Sequence, residues 1–181
     1  ISHEELLKKV VINGNFMFCP TAFGKSEIFS KTIGKFNNSD FKGSADLDAW
    51  LRVSKSHPVL IIKKPLLFFH RLSNNQISYW DRKDCDNYFV KCINSYVKDI
   101  SSVNVKKNLS AYIRWHEIFH SVFINIDKKN CSKSFYINLI FEVMQLNVNF
   151  SKKYKLLGLL SLALIFALFP YNYRIKLNSL L

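Results

Sequence analysis

The stretch Ser44–Arg52, which reads SADLDAWLR, is the part of the 181-residue chain that says most about its fold. Leu47, Trp50 and Leu51 recur there at helical spacing, so the pattern predicts a helix with one buried face. Ser44 stands just before this periodic run, and serine is a preferred N-cap residue. We therefore expect a helix that begins next to Ser44.

Two carboxylates, Asp46 and Asp48, lie in the first turn of this predicted helix, where the helix dipole favours negative charge. Asp48 has Arg52 four residues later, and pairs at this spacing stabilise helices by about 0.2–0.5 kcal/mol. Asp48 and Arg52 are therefore predicted to be structural supports. Asp46 has no basic neighbour at these offsets, which leaves its carboxylate available for chemistry. The alternative is that Asp46 only complements the helix dipole.

The segments around this helix predict strands first and helices afterwards. Asn15–Phe23 is apolar and aromatic and predicts a buried strand or loop wall, and Pro58–Phe69 predicts two short strands broken at Pro65. Ser26–Ile33 predicts a short helix that ends at Gly34. From about residue 84 onward the apolar spacing becomes helical. The sequence therefore predicts an α/β fold followed by a helical C-terminal arm.

The chain is strongly basic, with 26 Lys+Arg, 13 Asp+Glu and a formal net charge of +13. Such a surface attracts anions such as lipid headgroups, nucleic acid or phosphorylated substrates. An AT-rich genome, which favours lysine codons, explains the excess equally well. The lysines are dispersed rather than arranged in a stripe with aromatic residues, so no nucleic-acid partner is expected. The four cysteines form no CxxC pair, which favours a reducing, cytoplasmic compartment.

Several short motifs, in a fixed order over roughly residues 3–80, resemble the acceptor-side half of family 2 glycosyltransferases of the inverting GT-A type. The Ser44–Arg52 stretch is similar to the family's E-D-x-D-x-W-L-R segment, with Ala45 in place of the usual acidic residue. The other matching motifs are Gly14–Phe16 with Pro20–Phe23, Gly34–Phe36, Pro65–Leu67, Arg71 and Asn75–Ser78.

This resemblance implies the C-terminal part of a GT-A-like, Rossmann-like domain over residues 1–80, with a helical extension over residues 81–181. Asp46 is then the catalytic base, while Trp50 and Arg71 contact the substrate. For Trp50 the alternative is a core position, and for Arg71 an ion pair. The implied reaction moves a sugar from a nucleotide-sugar donor to a glycan or lipid-linked acceptor of a bacterial cell envelope.

The resemblance also implies an upstream donor-binding half that carries a divalent metal, Mg²⁺ or Mn²⁺. Because the sequence begins at Ile1, we expect that half to precede it and the 181 residues alone to be inactive. No metal ligand is predicted in the chain itself. The processive members' Q-x-x-R-W motif is matched only by Arg114-Trp115, which favours a non-processive enzyme.

A second motif, His116-Glu117-Ile118-Phe119-His120, has the HExxH pattern of zinc peptidases, in which two histidines on one helix face hold the metal. Glu142 is the candidate third ligand. Arg114 places a charge where the helix of those enzymes is buried, which favours an ordinary amphipathic helix. A zinc-dependent hydrolase remains the alternative function, together with a non-enzymatic basic module that binds membrane or nucleic acid.

The apolar segment 156–169 belongs to an uncharged run from Leu156 to Tyr173, which lysines and Arg174 flank and Pro170 interrupts. Its length is borderline for crossing a bilayer. Three placements stay open: in the membrane interface, across the membrane, or packed on the protein. We favour the first, which implies a peripheral protein at the inner face of the cell membrane.

Overall fold

The computed structural model describes residues 1–17, 19, 22–62, 87–125 and 132–168, and these residues are helical or irregular without any strand. The α-helices, in chain order, are α1 His3–Asn13, α2 Asn38–Phe41, α3 Ala45–Ser56, α4 Tyr88–Val97, α5 Val103–Asn125, α6 Lys133–Gln145 and α7 Phe150–Leu168. A π-helix covers Ile28–Ile33, and a 3₁₀ turn covers Lys42–Ser44.

The chain divides into two compact units, with the boundary inside α5 after Leu109. The first unit contains α1 to α4 and the beginning of α5, and the second contains the rest of α5 with α6 and α7. The boundary predicted from the sequence lies earlier, after residue 80.

The core of the first unit is built from the apolar faces of α1, α3 and α4. Ser2 caps α1, because its hydroxyl accepts a hydrogen bond from the backbone amide of Glu5. Asn87 caps α4 in the same way with its side-chain oxygen. The fully buried side chains on these helices include Leu6, Leu7, Leu47, Leu51, Phe89 and Ile93. The predicted helix after Ser44 is confirmed as α3, although the Ser44 side chain makes no cap hydrogen bond.

The second unit is a group of three helices around one apolar cluster. Its buried members from α5 and α6 include Ile118, Val122, Tyr136 and Val143. From α7 the cluster takes four residues at helical spacing, namely Leu156, Leu160, Ala163 and Ala167. The apolar segment of the sequence therefore packs one of its faces on the protein. Within the described residues every helix is too short or too polar to cross a bilayer.

The predicted α/β fold is wrong. Asn15–Met17, expected to belong to a buried strand or loop wall, and residues 58–62, expected to be extended, are irregular. Val59 and Ile1 exchange two backbone hydrogen bonds, of 3.1 and 2.6 Å. No further described residue pair continues this bridge into a ladder, and an extended segment becomes a strand only when a neighbour pairs along it. The rest of Pro58–Phe69, from residue 63 on, lies outside the described residues.

Candidate functional site

Asp46, the predicted catalytic base, lies in the first turn of α3 and is half-buried. Burial raises the pKa of its carboxyl above the ordinary value, and backbone amides, including that of Leu47, offset part of this rise. The Leu47 amide donates to Oδ1 at 2.7 Å. Among the described residues no cation lies within ion-pair distance of Asp46, so its carboxylate is not neutralised by the surrounding helices.

Asp48, one half-turn further along α3, has a different environment. Its carboxylate is buried and accepts hydrogen bonds at both oxygens. Arg52 Nε donates to Oδ2 at 2.9 Å, which is the i,i+4 pair predicted from the sequence. The Tyr96 hydroxyl of α4 donates to Oδ1 at 2.7 Å. Burial and this hydrogen bond raise the pKa of Tyr96 above its ordinary range, so the phenol stays protonated.

Arg52 also joins α3 to the end of the π-helix. Its guanidinium donates to the backbone carbonyls of Thr32, Ile33 and Lys35, which surround the turn at Gly34. Gly34 has a φ of 58°, a conformation that glycine adopts with little strain and that ends the π-helix as the sequence predicted. The contacts of Arg52 with the turn at Gly34 and of Asp48 with α4 therefore fix the position of α3.

Trp50, a predicted substrate contact, is 8% exposed and belongs to a small core cluster with Ile33 and Ala49. Phe29 and Phe36 meet its ring edge to face, with centroids 6.3 and 6.4 Å away. This arrangement favours the core alternative over a ring open to stacking by a sugar. The indole Nε1 is buried without a hydrogen-bond partner among the described residues. Arg71, the other predicted substrate contact, lies outside the described residues.

One polar pair in the first unit was not predicted from the sequence. His3 Nδ1 lies 2.6 Å from Ser54 Oγ. The Ser54 hydroxyl also lies 2.8 Å from the Leu51 carbonyl, so its hydrogen can point to either acceptor and the direction of the bond to His3 follows the histidine tautomer. The pair joins the beginning of α1 to α3. Spacing could not reveal it, because the two residues are 51 positions apart.

A divalent metal of the kind that the resemblance implies does not fit the described residues. They contain no group of three His, Cys, Asp or Glu side chains that could hold a metal ion. Asp46-Leu47-Asp48 has the letters of a metal-binding Asp-x-Asp, but Arg52 and Tyr96 already occupy both oxygens of Asp48. No step of the chemistry below therefore uses a metal.

The HExxH motif lies on α5 in the second unit, where Arg114 engages both of its candidate acidic groups. Arg114 Nη1 donates to Glu117 at 2.8 Å, and its Nε and Nη2 hold the two oxygens of Glu142 at 2.6 and 3.1 Å. These bonds keep the pKa of Glu142 below its ordinary value. His116 is buried with its ring against Trp115. The geometry therefore opposes the zinc alternative, because the water-activating and third-ligand positions are both in ion pairs.

No protein-family model, curated protein or solved structure matches the chain. The likeness to family 2 glycosyltransferases therefore stands on the sequence motifs alone.

Proposed function

We propose that the chain is the acceptor-side part of a glycosyltransferase similar to family 2, and that Asp46 is its general base. The observation that carries the proposal is the contrast between two carboxylates on one turn of α3. Asp48 is held by Arg52 and Tyr96, whereas Asp46 is half-buried, without a cation beside it among the described residues, and has a raised pKa. Perturbed titratable groups of this kind are characteristic of catalytic positions.

The raised pKa suits the chemistry of glycosyl transfer. A sugar hydroxyl is a weak nucleophile near neutral pH, so a base must accept its proton as it attacks. In the proposed step the acceptor oxygen forms a bond to the anomeric carbon of the donor. The bond from that carbon to the nucleoside diphosphate breaks, and the hydroxyl proton moves to Asp46. A carboxylate whose pKa lies above the ordinary range is the stronger base for this transfer.

The rest of the proposal follows from the motifs. The donor is a nucleotide sugar, and the acceptor is a glycan or lipid-linked sugar that receives one residue at a time. The enzyme works at the inner face of the membrane, with Asp48 and Arg52 as supports of the helix that carries the base. Arg71 stays a predicted substrate contact, and Trp50 is proposed to act by packing beneath the helix.

The test measures release of nucleoside diphosphate from a panel of nucleotide sugars, using the natural polypeptide in which these 181 residues occur together with membranes that supply acceptors. Asp46→Asn removes the base and keeps the shape, so we expect the rate to fall about 10²–10⁴-fold. Asp40→Asn is the matched control, because Asp40 is an exposed aspartate of the same unit whose carboxylate accepts from Asn37. Its rate should stay unchanged.

Two results would overturn the proposal. One is an absence of nucleoside diphosphate release from every nucleotide sugar by the unmodified protein. The other is an Asp46→Asn variant that turns over like the Asp40→Asn control. If His116→Ala abolishes the activity instead, the active site lies in the second unit.

A further inference from the structure

The second unit exposes large apolar side chains on two helices that pack against each other. On α6 the residues concerned are spaced i, i+4 and i+7, and on α7 they begin at its first residue. Phe141 is 63% exposed and Phe150 is 73% exposed. We call these side chains the apolar face, and its members are Ile137, Phe141, Met144, Phe150, Tyr154, Leu162 and Ile165.

The two halves of this face are held together. Lys153 Nζ donates to the Met144 carbonyl at 3.1 Å, which joins the beginning of α7 to the end of α6. The rings of Phe150 and Tyr154 contact each other with centroids 4.1 Å apart. The same helices bury Val143 and Leu160 in the cluster on their other side. The exposed side chains are therefore a second apolar surface on helices whose core requirement is already met, and exposed apolar patches mark interaction sites.

Basic groups accompany the apolar face. Lys153 and Lys155 lie in the first turns of α7, next to Phe150 and Tyr154. The exposed Lys155 has its ammonium 5.9 Å from the centroid of the Phe119 ring, whereas the Lys152 ammonium lies over the Trp115 ring of α5 at 4.4 Å and is not counted with the face. The two glutamates of the described second unit, Glu117 and Glu142, both pair with Arg114. In the described part of that unit both acidic side chains thus pair with one arginine, and neither pairs with the lysines beside the face.

We propose that the apolar face docks on an anionic lipid bilayer, with Phe141, Met144 and Phe150 entering the headgroup region and the lysines binding lipid phosphates. Amphipathic helices with lysines beside an apolar stripe bind membranes in this way. This inference identifies the membrane-facing surface for the location proposed above, but it does not depend on sugar transfer.

Charge complementarity favours lipid over a second copy of the chain. A symmetric dimer through this face would use the same patch on both subunits. Such a dimer would carry Lys153 and Lys155 on both subunits and would offer neither set an opposite charge, because both glutamates of the described second unit pair with Arg114. An anionic bilayer presents the opposite charge to the same lysines. Each lysine near the surface strengthens binding about fivefold.

The test is sedimentation of the 181-residue chain with vesicles of phosphatidylcholine alone, or of equal parts phosphatidylcholine and phosphatidylglycerol. We expect binding to the mixed vesicles only, weakened by added salt. The double variant Phe141→Ser/Phe150→Ser should bind at least tenfold more weakly, and Lys155→Gln about fivefold more weakly. Both phenylalanines are exposed, so these changes leave the core intact.

Val103→Ser and Lys107→Gln are the matched controls, because they remove an exposed apolar side chain and an exposed lysine from the other unit. Both should bind like the unmodified chain. Equal losses in controls and face variants, or no binding to mixed vesicles, would overturn the proposal. So would a dimer in sedimentation equilibrium without lipid that the double phenylalanine variant makes monomeric. None of these outcomes bears on Asp46, whose role is tested separately by nucleoside diphosphate release.

Discussion

The Tyr96 hydroxyl donates to the Asp48 carboxylate at 2.7 Å, and this hydrogen bond joins α4 to α3 across 48 residues of sequence. The same hydroxyl lies 3.1 Å from the backbone carbonyl of Asp48. Because Arg52 holds the other carboxylate oxygen, Asp48 connects α4, α3 and the turn at Gly34 through one buried group. The half-turn of helix that carries Asp46 is positioned by these contacts.

This connection makes Asp48 and Tyr96 a coupled pair in stability. Asp48→Asn leaves the guanidinium of Arg52 without its charged partner in a largely buried place, so we expect a loss of about 2–4 kcal/mol in the free energy of unfolding. Tyr96→Phe removes one hydrogen bond to a charged group and should cost about 1–3 kcal/mol. The double variant should lose less than the sum of the two.

Urea denaturation of the 181-residue chain measures these three values. Tyr154→Phe is the matched control, because Tyr154 is an exposed tyrosine of the second unit, and it should change the free energy of unfolding by less than about 0.5 kcal/mol. Strict additivity of Asp48→Asn and Tyr96→Phe would contradict the coupling.

Asp46 should reduce stability at neutral pH, in contrast to Asp48. Its pKa is raised in the folded chain from an ordinary value of 3.8, so folding favours the protonated carboxyl. The stability contributed by that form is fully present below pH 3.8 and is lost as the pH rises through the folded pKa. We therefore expect Asp46→Asn to melt at a higher temperature than the unmodified chain at pH 7.

The difference in melting temperature should shrink as the pH falls towards 3.8, because the unmodified carboxyl then becomes neutral as well. Calorimetry at several pH values measures it, with Asp40→Asn as the control at an exposed aspartate of the same unit. A melting temperature of Asp46→Asn below that of the unmodified chain at pH 7 would mean that burial is not the dominant influence on this group.

Local periodicity predicted the helices well. Phe89, Cys92, Ile93, Tyr96 and Val97 recur in the sequence at i, i+3, i+4, i+7 and i+8, and all five side chains are buried in α4. Such patterns succeed because one helix face meets the core every three or four residues, which is a property of the segment itself.

Properties that depend on distant residues were not predictable. The i,i+4 pair of Asp48 and Arg52 was expected to have the small energy of a surface pair. The sequence near Asp48 does not indicate that the Tyr96 hydroxyl, 48 residues away, donates to the same carboxylate. The strand expected from residue 58 is absent over the described residues 58–62 for the same reason, since a strand exists only where another segment pairs along it. Among the described residues Val59 pairs with Ile1, and no neighbouring residue continues the pairing. The roles of Trp50 and Asp46 likewise depend on distant residues. These residues determine how far the Trp50 ring is buried and how far the pKa of Asp46 is raised.

The arginine beside the HExxH motif predicts that this motif does not bind zinc tightly. Arg114 holds the carboxylates of Glu117 and Glu142, so a third ligand would have to break a bidentate ion pair. We expect less than one zinc ion per chain after dialysis, measured by atomic emission, and no rise in melting temperature when zinc is added. His120→Ala should leave both results unchanged. One tightly bound zinc ion per chain that disappears in His120→Ala would restore the hydrolase alternative.

Substitutions of Arg52 test whether the planar geometry of its guanidinium, rather than its positive charge alone, holds α3 in position. Its Nε binds Asp48 while its terminal nitrogens reach the carbonyls of Thr32, Ile33 and Lys35. A lysine at this position keeps the charge and one ion pair but cannot serve all of these acceptors at once.

We therefore expect Arg52→Lys to lower the free energy of unfolding by about 1–3 kcal/mol. We also expect amide hydrogen exchange to become faster in Ile28–Gly34, while the amides of α6 stay protected as an internal control. Arg52→Met keeps the apolar stem and removes every donor, so it sets the largest loss that this site can show. If Arg52→Lys is as stable as the unmodified chain while Arg52→Met is not, a single positive charge is sufficient and the carbonyl contacts do not contribute. If Arg52→Lys falls close to Arg52→Met, the planar guanidinium holds the Gly34 turn against α3, and with it the first turn that carries Asp46.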